Sequence, residues 1–236
     1  MTQITASLVK ELRERTGLGM MECKKALSET DGDLVKAEDL MRIKSGSKAS
    51  KVSGRVAAEG AIAVAIGDDM RQGAIVEVNC ETDFVGKDES FLKFANDIAD
   101  IVNKSGESDI AVISEQKLPQ GESVEEIRQA LIMKLGENIS VRRAKKFNAK
   151  GALSSYLHGG RIGVMVDLVN GSSELGKDMA MHIAAVKPVS VSSKDVDPAL
   201  LEKEREIAKA RAVESGKPDN IIEKIIDGSV KKYLSE

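Results

Sequence analysis

The chain has 236 residues, 42% of them apolar and 31% charged, and carries a net charge of −3. That composition fits one to three globular domains, contains nothing that approaches a membrane span, and argues against a general nucleic-acid binder, which needs an excess of Lys and Arg on one face. Cys23 and Cys80 form no CxxC pair, and with His158 and His182 as the only histidines no zinc quartet can be assembled, so both cysteines are expected to be reduced and structural. The opening MTQITASLVKELRE enters an amphipathic pattern at once, without the layout of a secretion signal or transit peptide, and reads as cytosolic.

Three short helices are expected over residues 1–45. Thr5 can cap the first, with Leu8, Val9 and Leu12 at helical spacing before Thr16 and Gly17. MMECKKALSET carries Met20, Met21, Cys23, Ala26 and Leu27, and Asp33 caps a third helix containing Leu34, Val35, Ala37, Leu40 and Met41. Such a bundle has a thin core. Residues 46–58 belong to a Gly- and Ser-containing basic run, RIKSGSKASKVSGR, that reads as a flexible linker, either a solvated hinge or a phosphate-binding arm.

Strand patterns follow. AIAVAI and AIVEVN, joined by GDDMRQG, read as a hairpin, and after CETDFVGKDE the stripe Phe91, Phe94, Ala95, Ile98, Val102 marks a helix. SVEEIRQALIMKLGENIS is helical and VRRAKKF returns as a strand. ALSSYLHG and RIGVMVDLV form a second hairpin, followed by the loop NGSSE and the helix LGKDMAMHIAAV. Residues 75–99 and 164–184 therefore look like two copies of one strand, loop and helix unit. The expected class is α+β with antiparallel sheets, in a first subdomain at 59–140 and a second at 141–192. Over 193–236, Asp197 and Pro198 start a helix that ends near Ser215, and Ile221, Ile222, Ile225, Ile226, Val230 and Tyr233 mark another, an antiparallel helical hairpin expected to project from the body.

Chemistry is mostly absent. No phosphate loop occurs; GLGMME fails the GxGxxG pattern and follows a helix. No GxSxG elbow is present, and the two histidines lack a nucleophile partner, which leaves a structural role as the plain reading of each. Asp83, Asp88 and Glu89 lack the alternation and closing Glu of a calcium loop. The pattern favours a binding protein over an enzyme, with no cofactor and no metal. Phe84, a lone apolar residue in a charged loop, reads either as a lid on a small core or as an outward contact. The NGSSE loop of the second copy does without an aromatic, so the unit itself does not demand one.

The strings ITASLVKELRERTGLGMMECKKAL, VNCETDFVGKDESF, SYLHGGRIGVMV and MHIAAVKP closely resemble bacterial translation elongation factor Ts, in that family's order. The resemblance implies a bundle similar to ubiquitin-associated domains, a flexible linker, two related α+β subdomains and a projecting coiled-coil hairpin. It also implies a guanine nucleotide exchange factor acting on elongation factor Tu, with no nucleotide, nucleic acid or membrane bound directly. Carried over by motif, Thr82, Asp83, Phe84 and Val85 match the segment that displaces magnesium from the partner's nucleotide site. Arg13, Met20 and Met21 match bundle residues that touch the partner's nucleotide-binding domain, and His158 lies in the matching YxHG segment. Met20 and Met21 have a physical logic of their own: adjacent helical residues face different ways, so one is expected in the core and the other outside as an adaptable contact. Long members of the family continue beyond the point where KKYLSE ends this chain, with a strand completing the second subdomain and a small module. Without them the edge of the second sheet is expected to be exposed. An adaptor or RNA-associated scaffold, using the bundle and basic run on a chain or phosphate backbone, is the alternative from another class; the overall charge disfavours it.

Overall fold

In the computed structural model, which describes residues 4–216 and 218–235, the chain opens with three helices, α1 (Ala6–Thr16), α2 (Met20–Glu29) and α3 (Leu34–Val52). Capping starts two of them as the sequence predicts. The Thr5 hydroxyl accepts the Leu8 amide at 3.3 Å and the Asp33 carboxylate accepts the Lys36 amide at 3.1 Å, each satisfying a donor that the first helical turn leaves unpaired. Leu12, Cys23, Leu27, Ala37 and Met41 form their shared core, and Met133 from a later helix joins it.

The expected flexible linker is largely helix. α3 continues through the basic run to Val52, and both Ala49 and Val52 enter the main core. The reason lies in packing: α3 lies against α6 (Val124–Leu135), and a Cβ on Gly46 would sit 3.1 Å from the Gln129 side chain. Small residues there serve close helix approach, a use that shares its composition with flexibility. The helical part of the segment is no extended hinge, and of its basic side chains Arg42, Lys44, Lys48 and Arg55 pair with Glu126, Glu29, Glu22 and Glu81.

Strands β1 (Glu59–Ile66), β2 (Gln72–Cys80) and β3 (Ser140–Asn148) form one antiparallel sheet in that order. VRRAKKF thus completes the first sheet, and the expected boundary at 140/141 falls inside β3. A bulge opposite Glu77 and Val78 lets both Arg142 and Arg143 reach the Glu77 carboxylate, at 3.2 and 2.5 Å. Helix α4 (Glu89–Ser105) covers β1 and β2 with Phe91, Phe94, Ile98 and Val102, all buried. A short helix α5 (Ile110–Glu115), without a sequence signal, adds Ile113 to the same core.

Strands β4 (Ala152–His158) and β5 (Ile162–Leu168) form a separate two-stranded antiparallel sheet. Backbone hydrogen bonds tie it to the first, from Ile62 N–H to the Gly160 carbonyl and from Leu153 N–H to the Met70 carbonyl, both at 2.7 Å. Helix α7 (Ser173–Val186) follows, with Gly176 set so close to β4 that a Cβ would lie 2.3 Å from Ser154 Oγ. The class is therefore α+β with two small antiparallel sheets.

By contacts the chain divides into two units, Met1–Ala184 and Ala185–Glu236. In the second unit, α8 (Pro198–Glu214), capped by Asp197, packs on α9 (Asp219–Tyr233) through Ala208, Ala212, Ile222 and Val230. Arg205 meets Asp227 across the turn at 3.8 Å, the pairing of antiparallel neighbours. Lys217, within the expected break, lies outside the described residues.

Candidate functional site

The segment after β2 must turn from strand to helix within a few residues, and its backbone groups need partners while it does so. Glu137 supplies the first two. One carboxylate oxygen accepts the amides of Glu81 and Thr82 at 3.1 and 3.0 Å, and the other accepts the Thr82 hydroxyl at 2.6 Å. Thr82 is then spent inward: its hydroxyl accepts the Val85 amide at 3.4 Å, and its carbonyl accepts the Gly86 amide and the Cys80 thiol, both at 3.1 Å. Burial, followed by the charges of Glu137 and Glu59, pushes that thiol up to about 11, so it stays protonated and able to donate. Val85 is buried in the main core, and Asp88 ends the loop by capping α4 through the amides of Ser90 and Phe91.

With both ends pinned, the tip is Asp83 and Phe84. Phe84 is 82% exposed, so it is not a lid. Single large apolar side chains are common on protein surfaces, so exposure by itself assigns Phe84 no role. Asp83 is partly covered and bonded to Lys87 at 2.7 Å; that hydrogen bond first, then the Lys87 charge, holds its carboxyl below the usual range, with Arg161 adding to the effect. The resemblance treats Thr82–Val85 as one contacting segment. Their geometry divides them, with Thr82 and Val85 as inward supports and Asp83 and Phe84 facing out.

The β4–β5 turn comes to the same place. Gly159 and Gly160 take positive φ (57° and 71°), which lets Gly160 present its carbonyl to β1, and a groove forms that is lined by Asp83, Lys87 and Leu92 on one side and by Gly159, Gly160 and Arg161 on the other. Arg161 is itself held by an ion pair with Glu59. His158, at the end of β4, is exposed, and its Nδ1 is 3.0 Å from the Tyr156 hydroxyl. His158 is thus a partnered surface histidine, and His182 on α7 is exposed as well.

On the bundle, Met20 and Met21 are both exposed, at 59% and 75%. The expectation of one in the core is corrected. They occupy the first two positions of α2, where helical side chains lean back toward the N-terminus and so past the end of the bundle, leaving Cys23, Ala26 and Leu27 to fill it. Arg13 is exposed on α1, and no carboxylate pairs with it among the described residues. Also among the described residues, no three His, Cys, Asp or Glu side chains gather to hold a metal, and no helix is long and apolar enough to cross a membrane. Glu137 is the residue sequence reasoning missed. Its one signal was position: it follows Gly136, the left-handed cap of α6, where the negative end of the helix dipole disfavours a carboxylate.

The surface so described is an exposed aromatic on a braced loop, beside a glycine turn. Residues 81–236 match the family described as elongation factor TS. The elongation factor Ts of Nitrosomonas eutropha is 61% identical over all of this chain and 80% of its own length; that of Nitrosospira multiformis is 58% identical over 100% and 79%; that of Thioalkalivibrio sulfidiphilus is 56% identical over 99% and 80%. On residues shared from end to end, the chain belongs to the elongation factor Ts family.

Proposed function

We propose that this chain is a guanine nucleotide exchange factor for elongation factor Tu, acting in protein synthesis by disturbing the magnesium and phosphate side of the partner's nucleotide site. The single observation that carries the proposal is Phe84, 82% exposed at the tip of a loop whose flanking residues are fixed. A nucleotide in a phosphate-loop protein is held by backbone amides, a lysine and a magnesium ion, and an apolar wedge beside that ion weakens the grip without chemistry. Asp83 brings a negative charge to the same place, where it competes with phosphate oxygens for cations and amide donors. Arg13, Met20 and Met21 hold the partner's nucleotide-binding domain, and His158 contacts it from the second hairpin.

Weakening GDP a thousandfold takes about 4 kcal/mol of difference between the two states of the partner. Burying one Phe supplies about 1.5–3 kcal/mol, so the wedge needs the other contacts. By linkage, the nucleotide weakens the factor's grip by the same amount, which lets incoming GTP release it. Stopped-flow release of fluorescent GDP from elongation factor Tu tests this directly. The chain should accelerate release, and Phe84→Ala should cut the maximal rate by about tenfold or more while leaving the half-saturating concentration within about threefold. Met20→Ala and Met21→Ala should raise that concentration instead. A Phe84→Ala rate equal to wild type sinks the wedge.

A further inference from the structure

The loop that carries Phe84 is shaped by a residue outside it. We propose that Glu137 is a positioning residue for the Phe84 tip: its carboxylate fixes the loop in the conformation that aims the ring outward. The inference rests on the exchange reading above for its effect on rate, and on geometry alone for its effect on the loop.

Both oxygens of the carboxylate are committed to the loop, to the amides of Glu81 and Thr82 and to the Thr82 hydroxyl. Hydrogen bonds to an ionised acceptor are the stronger kind, and two adjacent amides converging on one oxygen define a backbone orientation and not merely a contact. From Thr82 the constraint passes on through its hydroxyl to the Val85 amide, so the residues on both sides of Asp83 and Phe84 are fixed relative to Glu137. Nothing else among the described residues binds the Glu81 and Thr82 amides.

The turn that carries Glu137 is itself braced. The buried Asn138 donates through its side chain to the carbonyl of Arg55 at 2.9 Å, while its amide donates to the Glu81 carboxylate at 2.6 Å. Arg55 in turn pairs with Glu81 at 3.4 Å and donates to the Gly136 carbonyl at the same distance. The loop, the turn after α6 and the segment after α3 thus form one polar knot, and Phe84 projects from its edge. A carboxylate placed just past a helix C-terminus is poorly served by its own helix, and the three bonds from the loop are what hold it there.

The test compares Glu137→Ala, Glu137→Gln, Phe84→Ala and the double variant Phe84→Ala/Glu137→Ala in the full chain. The first measurement is amide hydrogen exchange at Glu81 and Thr82 by NMR. Glu137→Ala should speed exchange at these two amides by about tenfold or more with the core of α4 still protected, and Glu137→Gln, whose amide oxygen can still accept, should restore much of the protection. Unchanged protection at Glu81 and Thr82 overturns the proposal, as does an equal loss throughout α4, which would make Glu137 a general stabiliser. The second measurement is GDP release from elongation factor Tu. Glu137→Ala should lower the maximal rate about tenfold at a nearly constant half-saturating concentration, and the double variant should be no slower than Phe84→Ala, because both changes act through the same ring. Additive losses overturn the proposal. If the wild-type chain leaves GDP release unaltered, the exchange reading falls, and hydrogen exchange still decides whether Glu137 holds the loop.

Discussion

Two stretches of this chain run through the same elements in the same order, β1, β2, a loop and α4, then β4, β5, a loop and α7, yet they expose apolar side chains for different reasons. In the first, α4 buries Phe91, Phe94, Ala95, Ile98, Ala99 and Val102, and the loop before it is tied to Glu137 and to its own cap. Its one exposed aromatic is Phe84, in a region that is otherwise closely packed. In the second, α7 buries only Gly176, Ala180 and Ala184 and leaves Leu175, Met179 and Met181 outside, while the loop before it is tied down by little more than Ser172 capping the Leu175 amide at 3.1 Å. Exposure in the second stretch reflects thin packing on a two-stranded sheet. In the first it coexists with a deep core and with a loop bonded to Glu137, so thin packing does not account for it.

The sharpest way to break this contrast is to truncate each helix. Phe94→Ala should cost about 3–5 kcal/mol of unfolding free energy, since a fully buried ring leaves a cavity among α4, β1 and β2, whereas Met179→Ala should cost less than about 1 kcal/mol. Urea unfolding followed by circular dichroism measures both, and equal losses would show that α7 is as deeply packed as α4. A smaller effect comes from the glycines at the start of each hairpin. A Cβ on Gly60 would lie 2.1 Å from the Val78 carbonyl oxygen and one on Gly151 would lie 2.1 Å from that of Leu168, but only Gly60 also has a positive φ, at 150°. Both alanine variants should lower the melting temperature, and Gly60→Ala should lose about 1–3 kcal/mol more than Gly151→Ala from the added backbone strain. The opposite order would mean that β1 can shift away from β2 more easily than β4 from β5.

Much of this was legible in the sequence, for identifiable reasons. Thr5, Asp33 and Asp197 were visible as caps because their side chains act within three residues, and the α4 stripe because five apolar residues repeat at helical spacing. Both hairpins followed from short apolar runs around turn residues. What was not legible depends on partners distant in sequence. The small residues of α3 read as a linker until α6 is placed against Gly46, and β3 read as part of the second subdomain because pairing with β2 leaves no local mark. The six-residue α5 is too short to show a period. At the site, Asp83 and Phe84 stood out by type, and the inward roles of Thr82 and Val85 did not, since they depend on Glu137, 55 residues away from Thr82, and on the main core. Met20 and Met21 were half legible: the helix was right, but its register leaves both past the end of the bundle.

The finest separation between the two loops is electrical. Asp83 is held below the ordinary carboxylate range by Lys87, so it binds its proton less readily in the folded chain than in the unfolded one. The sign follows: whatever Asp83 contributes to stability is fully present above the unfolded-state value, near pH 4, and is lost only as pH falls through the lower folded-state value. Residues 169–172, Val-Asn-Gly-Ser, carry no group that titrates in that window. Side-chain NMR should therefore find the Asp83 midpoint below that of an ordinary aspartate, and Lys87→Met should move it upward, with chemical shifts at 169–172 unchanged throughout. Because Asp83 remains ionised from pH 6 to 8, its charge at the tip is constant over that range. An Asp83 midpoint at or above the ordinary value would mean that Lys87 does not hold the tip, and would leave Glu137 as the loop's main electrostatic anchor.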